Sequence, residues 1–285
     1  MVFGGADELT FLLPESLRID QSGTHLSWVD IERGTLSRCH LASGDVSAQF
    51  VATDLSFAHP LGNGDFLIAA GPKLGVLSHT GELVTSPPLI SSNRRFNDGF
   101  VDPRGRVIVG AKNLGATDGH NPLFIVEEGG LCRVLDEDLS LSNGIASHPH
   151  TQDLVTVDSA ESALYVRKLE PGGAYSDRSL FYRFVDGATP DGISFDRDGN
   201  LYVALWGDGC VARIDPRGKE VDRFPVPSPF VTSVALHPTT GELFVATASE
   251  LREGFASGDA CGHIWRAPRH NNGLPVNEWI PVNLE

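Results

Sequence analysis

The stretch TPDGISFDRDGNLYVALWGDG, residues 189–209, carries the pattern that decides the fold. A short apolar segment, ISF, is followed by the polar turn DRDGN and then by the apolar segment LYVALW. Two apolar segments joined by a short turn that contains Gly predict a β-hairpin. The arrangement returns along the chain, with second segments that begin at Leu26, Phe66, Val107, Leu154, Leu201 and Leu243. The sequence therefore predicts six similar hairpins.

A third apolar segment and a weaker fourth follow the hairpins, as in GCVARID and EVDRFPV of the fifth copy. Four strands every ~40–50 residues, without a sustained helical period, are typical of the blades of a β-propeller. We therefore predict an all-β fold, a six-bladed β-propeller with four-stranded antiparallel blades, as a single domain over residues 1–285. A β-sandwich or β-solenoid explains such a repeat less well. An N-terminal strand near ELTFLL is expected to pair with the last blade and close the ring.

Composition excludes several classes of function. The net charge of −15 argues against a nucleic-acid partner, which requires a basic face. The four cysteines form no CxxC pair, which argues against the common zinc and thioredoxin-like sites. No run of roughly 18 apolar residues occurs, which argues against a membrane-spanning helix. We expect no membrane partner, a cytoplasmic location, and a monomer or weak homo-oligomer.

Oxygen-bearing side chains recur in one position of the hairpins, just before the first apolar strand, where we expect them to lie at one mouth of the central channel. Asp191 stands there in the fifth copy, and blades 2 and 6 offer Leu55 and Thr232 instead. Three other blades offer Glu15, Asn143, and Asp98 with its neighbour Asn97. Such ligands suit calcium or magnesium, and they also accept manganese, iron(II) or zinc. The alternative is that these residues form turns or cap backbone amides.

Three stretches, RFNDGFVDPRGRV, LSNGIASHPHTQDLVTVDS and TPDGISFDRDGNLYVALWGDG, resemble the SMP-30/gluconolactonase/luciferin-regenerating-enzyme family of six-bladed propellers. The resemblance implies one divalent metal ion bound by Glu15, Asn143 and Asp191. It also implies that Asp191 acts as the general base and that Arg95 and Asn97 contact the substrate.

Two motifs depart from that family. The first reads PESL where the family commonly has Gly-Glu-Gly-Pro, and Gly110-Ala111-Lys112 replaces Gly-Thr-Met. Lys112 is therefore a candidate substrate-binding residue that would meet an anionic group, the alternative being an exposed surface lysine. The function expected is metal-dependent hydrolysis of a small, sugar-derived lactone. Hydrolysis of a phosphotriester or another ester at the same site, and non-enzymatic ligand binding, stay open as alternatives.

Other possible sites look weaker. His59, His148 and His237 occupy equivalent turns, where we interpret them as solvent-facing residues rather than ligands. Trp206 and Phe96 either wall the pocket or pack in the core. No G-x-S-x-G motif is present, and no helix is predicted after the Gly-rich turns, so a nucleotide cofactor is not expected.

Overall fold

A computed structural model describes residues 10–115, 120–127, 130–249, 261–267 and 270–281. The first strands of the six sheets are β1 (Pro14–Ile19), β5 (Leu55–Pro60), β9 (Arg94–Val101), β13 (Ser142–Ser147), β17 (Thr189–Phe195) and β21 (Val231–Leu236). The second strands are β2 (His25–Asp30), β6 (Phe66–Ala70), β10 (Val107–Asn113), β14 (Leu154–Asp158), β18 (Leu201–Trp206) and β22 (Leu243–Thr247). The third strands are β3 (Thr35–His40), β7 (Lys73–Leu77), β11 (Asn121–Val126), β15 (Ala163–Arg167), β19 (Cys210–Ile214) and β23 (Ile264–Ala267). The fourth strands are β4 (Val46–Phe50), β8 (Leu83–Thr85), β12 (Cys132–Leu139), β16 (Ser179–Arg183) and β20 (Glu220–Pro225).

The sheets form a closed ring. In each sheet the strands pair antiparallel in chain order, and each first strand contacts the first strand of the next sheet. The strand β21 contacts β1, which completes the circle. The predicted six-bladed propeller is confirmed. The sixth blade has three strands among the described residues, whereas the other five have four. No helix in the described parts of the chain is long and apolar enough to cross a membrane.

Backbone hydrogen bonds join the N-terminal segment to the sixth blade and so help to close the ring. The backbone NH of Phe11 donates to the carbonyl oxygen of Gly262 (2.8 Å), and the NH of Ser249 donates to that of Leu12 (3.0 Å). These bonds use backbone groups that an open edge would leave unpaired. Residues 10–13, the described part of the predicted closing strand, do not form a β-strand, so this part of the prediction is wrong; residues 8–9 lie outside the described residues.

The core consists of apolar layers between adjacent blades. The second strands have neighbours on both faces, which explains why they read as continuous apolar runs rather than as alternating patterns. In LYVALW of β18, every residue before Trp206 is buried. Between blades 2 and 3, Phe96 is fully buried and meets the ring of Phe124 edge to face at 6.3 Å. Burial of one such side chain contributes about 1.5–3 kcal/mol relative to exposure.

A β-bulge interrupts the pairing of the first and second strands in all six blades. The shifts fall between Glu15 and Arg18, Leu55 and Phe57, Phe96 and Gly99, Ser142 and Ile145, Pro190 and Ile193, and Val231 and Ser233. A bulge bends its strand and re-aims a side chain. The candidate ligands therefore lie within the first strands, at their irregular part, and not before them as predicted.

Residues 270–281 cross the end of the ring opposite these bulges. The NH of Gly273 donates to the carbonyl of His237 in blade 6, and the NH of Arg197 in blade 5 donates to that of Asn272. Farther along, the NH of Ile280 donates to the carbonyl of Gly105 in blade 3. The segment thus connects three blades that are distant in sequence.

The interpretation of the three turn histidines as solvent-facing is wrong. His59 is 2% exposed, and its Nε2 donates to the carbonyl oxygen of Asn277 in the crossing segment (2.8 Å). His237 is also buried, and its Nε2 donates to the carbonyl oxygen of Gly23 in the neighbouring blade (2.9 Å). His148 is half-buried against the ring of Phe195. Each ring folds back onto an adjacent element, a contact that a local turn pattern does not reveal.

Candidate active site

A cavity of about 680 Å³ opens at the end of the ring where the first strands begin. The predicted site residues all line it: Glu15, Arg95, Asn97, Lys112, Asn143 and Asp191. Ligand pockets in proteins usually have volumes of roughly 300–1,000 Å³, so a small molecule fits this space. The cavity draws residues from blades 1, 3, 4, 5 and 6, which are far apart in sequence.

A chain of hydrogen bonds links the floor of the cavity across three blades. The side-chain amide of Asn97 donates from Nδ2 to the carbonyl oxygen of Ser142 (2.9 Å) and to Oδ1 of Asn143 (3.4 Å). Asn143 in turn donates from Nδ2 to Oγ of Ser159 (3.2 Å). Ser159 donates to the carbonyl oxygen of Pro190 (2.6 Å), the residue before Asp191. The amide of Asn143 is therefore held with its NH2 group turned away from Asn97.

Glu15 and Asp191 are carboxylates in a poorly hydrated site. Burial raises the pKa of Asp191, the charge of Asp98 raises it further, and the charge of Lys112 lowers it. Burial likewise raises the pKa of Glu15, and the charge of Asp191 adds to the rise. Two carboxylates whose pKa values are raised by burial and by neighbouring negative charge favour an added positive charge beside them.

The residues on this floor fit a divalent cation. Oδ1 of Asp191 is buried and has no hydrogen-bond partner among the described residues, although a buried carboxylate oxygen ordinarily has one. Glu15 and Asn143 line the same cavity and supply a further carboxylate and a further carbonyl oxygen. A set of oxygen donors that contains two carboxylates and an amide is suited to a hard cation.

Arg95 is a buried cation on the wall beside Asn97. It is 7% exposed, and its Nη1 donates to the carbonyl oxygen of Phe96 and to Oδ1 of Asn97, both at 2.9 Å. Burial lowers its pKa, and the charges of Asp54 and Glu15 raise it. The bond to Asn97 fixes the amide, so its NH2 group points towards blade 4.

Lys112 is the second cation of the cavity and belongs to the same blade. It lies on β10 directly opposite Arg95 on β9, in the register of the two strands. Its side chain is exposed, whereas that of Arg95 is buried. Lys112 therefore lines the cavity at its solvent-exposed rim.

Asp98 does not line the cavity beside Asn97. Its Oδ1 accepts a hydrogen bond from the NH of Gly99 (2.7 Å) and lies 3.5 Å from Nη2 of Arg18. Burial raises the pKa of Asp98, and Arg18 lowers it. The expectation that blade 3 aims Asp98 towards a shared cation is therefore not supported, since the carboxylate already has a charge partner.

Glycine in the three site motifs permits neighbouring first strands to approach. A Cβ atom at Gly144 would lie 2.4 Å from the carbonyl oxygen of Asp191, and one at Gly192 would lie 2.8 Å from that of Thr232. A Cβ atom at Gly99 would lie 2.9 Å from the ring of Phe57 in blade 2. Side chains at these positions would push the blades apart.

Ser16 follows Glu15 where the family commonly has Gly. Its φ of 56° lies in the left-handed region, which non-glycine residues seldom adopt. Its Oγ interacts with both the NH (3.3 Å) and the carbonyl oxygen (3.4 Å) of Ala58 in blade 2. These two bonds offset part of the strain, and Glu15 remains on the cavity wall despite the changed motif.

The opposite wall is apolar. Trp206 lines the cavity and packs on Phe230, with ring centroids 5.0 Å apart. Leu13 and Ile31 from blade 1 add to this surface. Of the two aromatic candidates, Trp206 therefore walls the pocket, and Phe96 is a core residue.

The match to a known family covers the first five blades and the first two strands of the sixth. Residues 13–249 match the family described as SMP-30/Gluconolactonase/LRE-like region. The chain belongs to this family. Among SMP-30/gluconolactonase relatives, a pentonolactonase of Haloferax volcanii is 29% identical over 259 residues, which is 88% of each chain. An L-arabinolactonase of Azospirillum brasilense is 31% identical over 242 residues, covering 78% of this chain and 76% of its own.

Solved structures of the SMP-30/gluconolactonase family resemble this chain closely. The calcium-binding protein regucalcin from Agrobacterium tumefaciens superposes with a TM-score of 0.89 at 25% identity. The superposition covers 96% of both chains.

Sequence reasoning missed two groups at this site. Ser159 orients Asn143, and its only signal is a hydroxyl directly after the second strand of blade 4. Glu32 also lines the cavity, from the turn after β2, where an acidic surface residue carries no distinguishing pattern.

Proposed function

We propose that the chain is a divalent-metal-dependent hydrolase that opens a small, sugar-derived lactone to its hydroxy acid. Membership of the SMP-30/gluconolactonase family supports lactone hydrolysis, since relatives over most of the chain are named as lactonases of five-carbon sugars. The observation that carries the metal is the buried, unpartnered Oδ1 of Asp191 beside Glu15 and Asn143.

Glu15, Asn143 and Asp191 are proposed to hold the cation, which is calcium, zinc, manganese, magnesium or iron(II). When bound, such an ion polarises a carbonyl group and lowers the pKa of a water molecule. Asp191 is proposed to accept the proton of the attacking water, since its carboxylate lines the cavity beside Glu15 and Asn143, where that water would be bound.

Arg95 and Asn97 are proposed to bind the substrate. Both line the cavity, and Arg95 retains NH groups beyond the two bonds made by its Nη1. Donors fixed before the reaction stabilise the negative charge that develops on the lactone oxygen, without reorganisation. After the ring C–O bond breaks, the alkoxide leaving group takes up a proton and the acyl carbon retains the water oxygen as a carboxylate.

The test is a pH-indicator assay on a panel of γ- and δ-lactones. Chelator-treated protein is assayed alone and after the addition of each of the five cations. We expect hydrolysis only with added metal, and Asp191→Asn is expected to lower kcat/KM by at least about a hundredfold, as loss of a general base does. Full activity of Asp191→Asn would disprove its role.

The same protein samples also test the two alternatives, phosphotriester hydrolysis and ligand binding without catalysis. Aryl phosphotriesters are included in the panel, and their hydrolysis without any lactone hydrolysis would replace the proposed substrate class. Metal that raises the unfolding temperature, with no turnover of either class, would favour a ligand-binding propeller.

A further inference from the structure

We propose that the natural substrate is an anionic lactone, one that carries a carboxylate, sulfonate or phosphate away from the ring carbonyl, and that Lys112 binds this group. The inference rests on the proposed function and specifies its substrate class. It makes Lys112 a residue that determines specificity rather than a general part of the hydrolytic machinery.

Lys112 lies on a different strand from the groups proposed to act on the lactone ring, although its charge also acts on Asp191. Asn97, Asn143 and Asp191 lie in first strands, at the bulges on the floor of the cavity. Lys112 lies one strand farther from the axis, on β10, and is exposed at the rim. A ligand whose carbonyl is held at the floor therefore extends past Lys112 with its opposite end.

The two cations of the cavity have different surroundings. Arg95 is buried and donates to Phe96 and Asn97 close to the floor. Lys112, directly opposite on the next strand, carries a compact ammonium group on a flexible stem. Such a group binds the anionic end of a ligand without a fixed orientation, which suits a substituent on an open carbon chain.

The charge of the lined cavity supports an anionic ligand. Of the residues that the structure describes, three carboxylates, Glu15, Glu32 and Asp191, and two cations, Arg95 and Lys112, line it. Binding of a divalent cation therefore leaves one net positive charge on these five side chains, in a protein whose net charge is −15. A local positive cleft in an acidic surface concentrates anions, and the effect weakens with salt.

The distribution of these charges also indicates which end of the ligand faces which blade. Arg95 and Lys112 both belong to blade 3, whereas Glu15 and Glu32 belong to blade 1. Trp206 on blade 5 presents an aromatic ring to the same cavity. An anionic end is therefore expected on the blade 3 side, and a C–H face of the sugar chain towards Trp206.

The test compares a neutral hexonic γ-lactone with the matched hexaric lactone, which differs only by a terminal carboxylate. Lactones with a terminal phosphate or sulfonate distinguish which anion is preferred. For metal-loaded wild-type protein we expect kcat/KM at least about tenfold higher for an acidic lactone, as one charge-assisted contact provides.

Substitutions of Lys112 test whether this residue causes the preference for acidic lactones. We expect Lys112→Met to lower the acidic-to-neutral ratio of kcat/KM about tenfold, Lys112→Glu to lower it further, and Lys112→Arg to retain most of it. Lys168→Met removes one exposed lysine outside the cavity and is the matched control, with an unchanged ratio. The same ranking is expected, without turnover, in calorimetric affinities for the open-chain diacid and monoacid products.

The results that would contradict the anionic substrate class differ from those that would contradict lactone hydrolysis itself. If neutral and acidic lactones are hydrolysed equally well, or Lys112→Met lowers both alike, the anionic substrate class is wrong while lactone hydrolysis stands. If no lactone of either kind is hydrolysed with any metal, the proposed function fails and this inference fails with it.

Discussion

Asn143 donates from Nδ2 to Oγ of Ser159 at 3.2 Å, and this contact decides which way the Asn143 amide faces. The same hydroxyl donates to the carbonyl oxygen of Pro190, so it ties blade 4 to the strand that carries Asp191. Ser159 is 2% exposed and has no water-facing alternative for these bonds.

Ser159→Ala is therefore expected to weaken metal binding. Without the hydroxyl, the Asn143 amide loses its fixed orientation, and loss of such a supporting contact typically costs 10–100-fold in metal affinity. Titration of chelator-treated protein with each cation, followed by calorimetry, measures the change. Ser47→Ala, on the outer strand of blade 1, is the control; equal affinities for all three proteins would contradict the assigned role.

Gly144→Ala is expected to destabilise the ring. The added Cβ would lie 2.4 Å from the carbonyl oxygen of Asp191, and the blades would have to separate. Overpacking of this kind costs about 1–3 kcal/mol in the free energy of unfolding, measurable from the midpoint of denaturant unfolding. Gly172→Ala meets no atom within 4 Å and is the matched control. A Gly144→Ala protein as stable as this control would show that the blades tolerate closer contact.

Arg18→Met is expected to leave the Asp98 carboxylate inside the ring without its charge partner. Removal of one member of a buried pair costs about 3–5 kcal/mol of folding stability, and Arg18 also donates to the carbonyl oxygen of Gly99 (2.7 Å). The double variant Arg18→Met/Asp98→Asn should recover much of the loss. Arg183→Met breaks an exposed pair with Glu161 and should cost less than about 1 kcal/mol. Additive effects of the two changes would argue against coupling of Arg18 and Asp98.

His59 makes folding stability sensitive to acid. Burial lowers its pKa from the ordinary 6.5 to about 3, so the unfolded chain binds a proton that the folded chain does not. This contribution to stability is complete above pH 6.5 and is lost as the pH falls towards 3, by up to about 1.4 kcal/mol per pH unit. His59→Gln should make the stability profile between pH 6 and 4 shallower, whatever its effect at pH 8. An unaltered slope in denaturant titrations would mean that the folded protein protonates His59 as readily as the unfolded chain does.

The architecture was predictable because each hairpin repeats the same local pattern. The apolar runs that begin at Leu201 and Leu243 are buried on both faces by neighbouring blades, and this burial requires continuous apolar sequence. Gly144 and Gly192 stand in two of the motifs that resemble the family, but the structure shows why they are glycines: two strands meet there too closely for a Cβ atom.

Other features of the site depend on contacts between blades, which no local pattern encodes. Asp98 and Asn97 are adjacent in sequence, but the bulge sends only Asn97 to the cavity wall, and Asp98 meets Arg18 of blade 1. His59 resembles a turn residue until the chain beyond blade 6 returns to cover it. Ser159 acquires a role because Pro190 of the next blade lies within reach.

The fastening of the ring has a consequence for biosynthesis. The Oγ of Ser249 donates to the carbonyl oxygen of Phe11, 238 residues earlier in the chain, and Ile280 binds a turn of blade 3. Blades emerge from the ribosome in order, and the early ones wait with an open edge until the sixth arrives. The contacts of Ser249 and Ile280 can therefore form only after these residues have been synthesised, and until then the early blades have an open edge that is prone to edge-to-edge association.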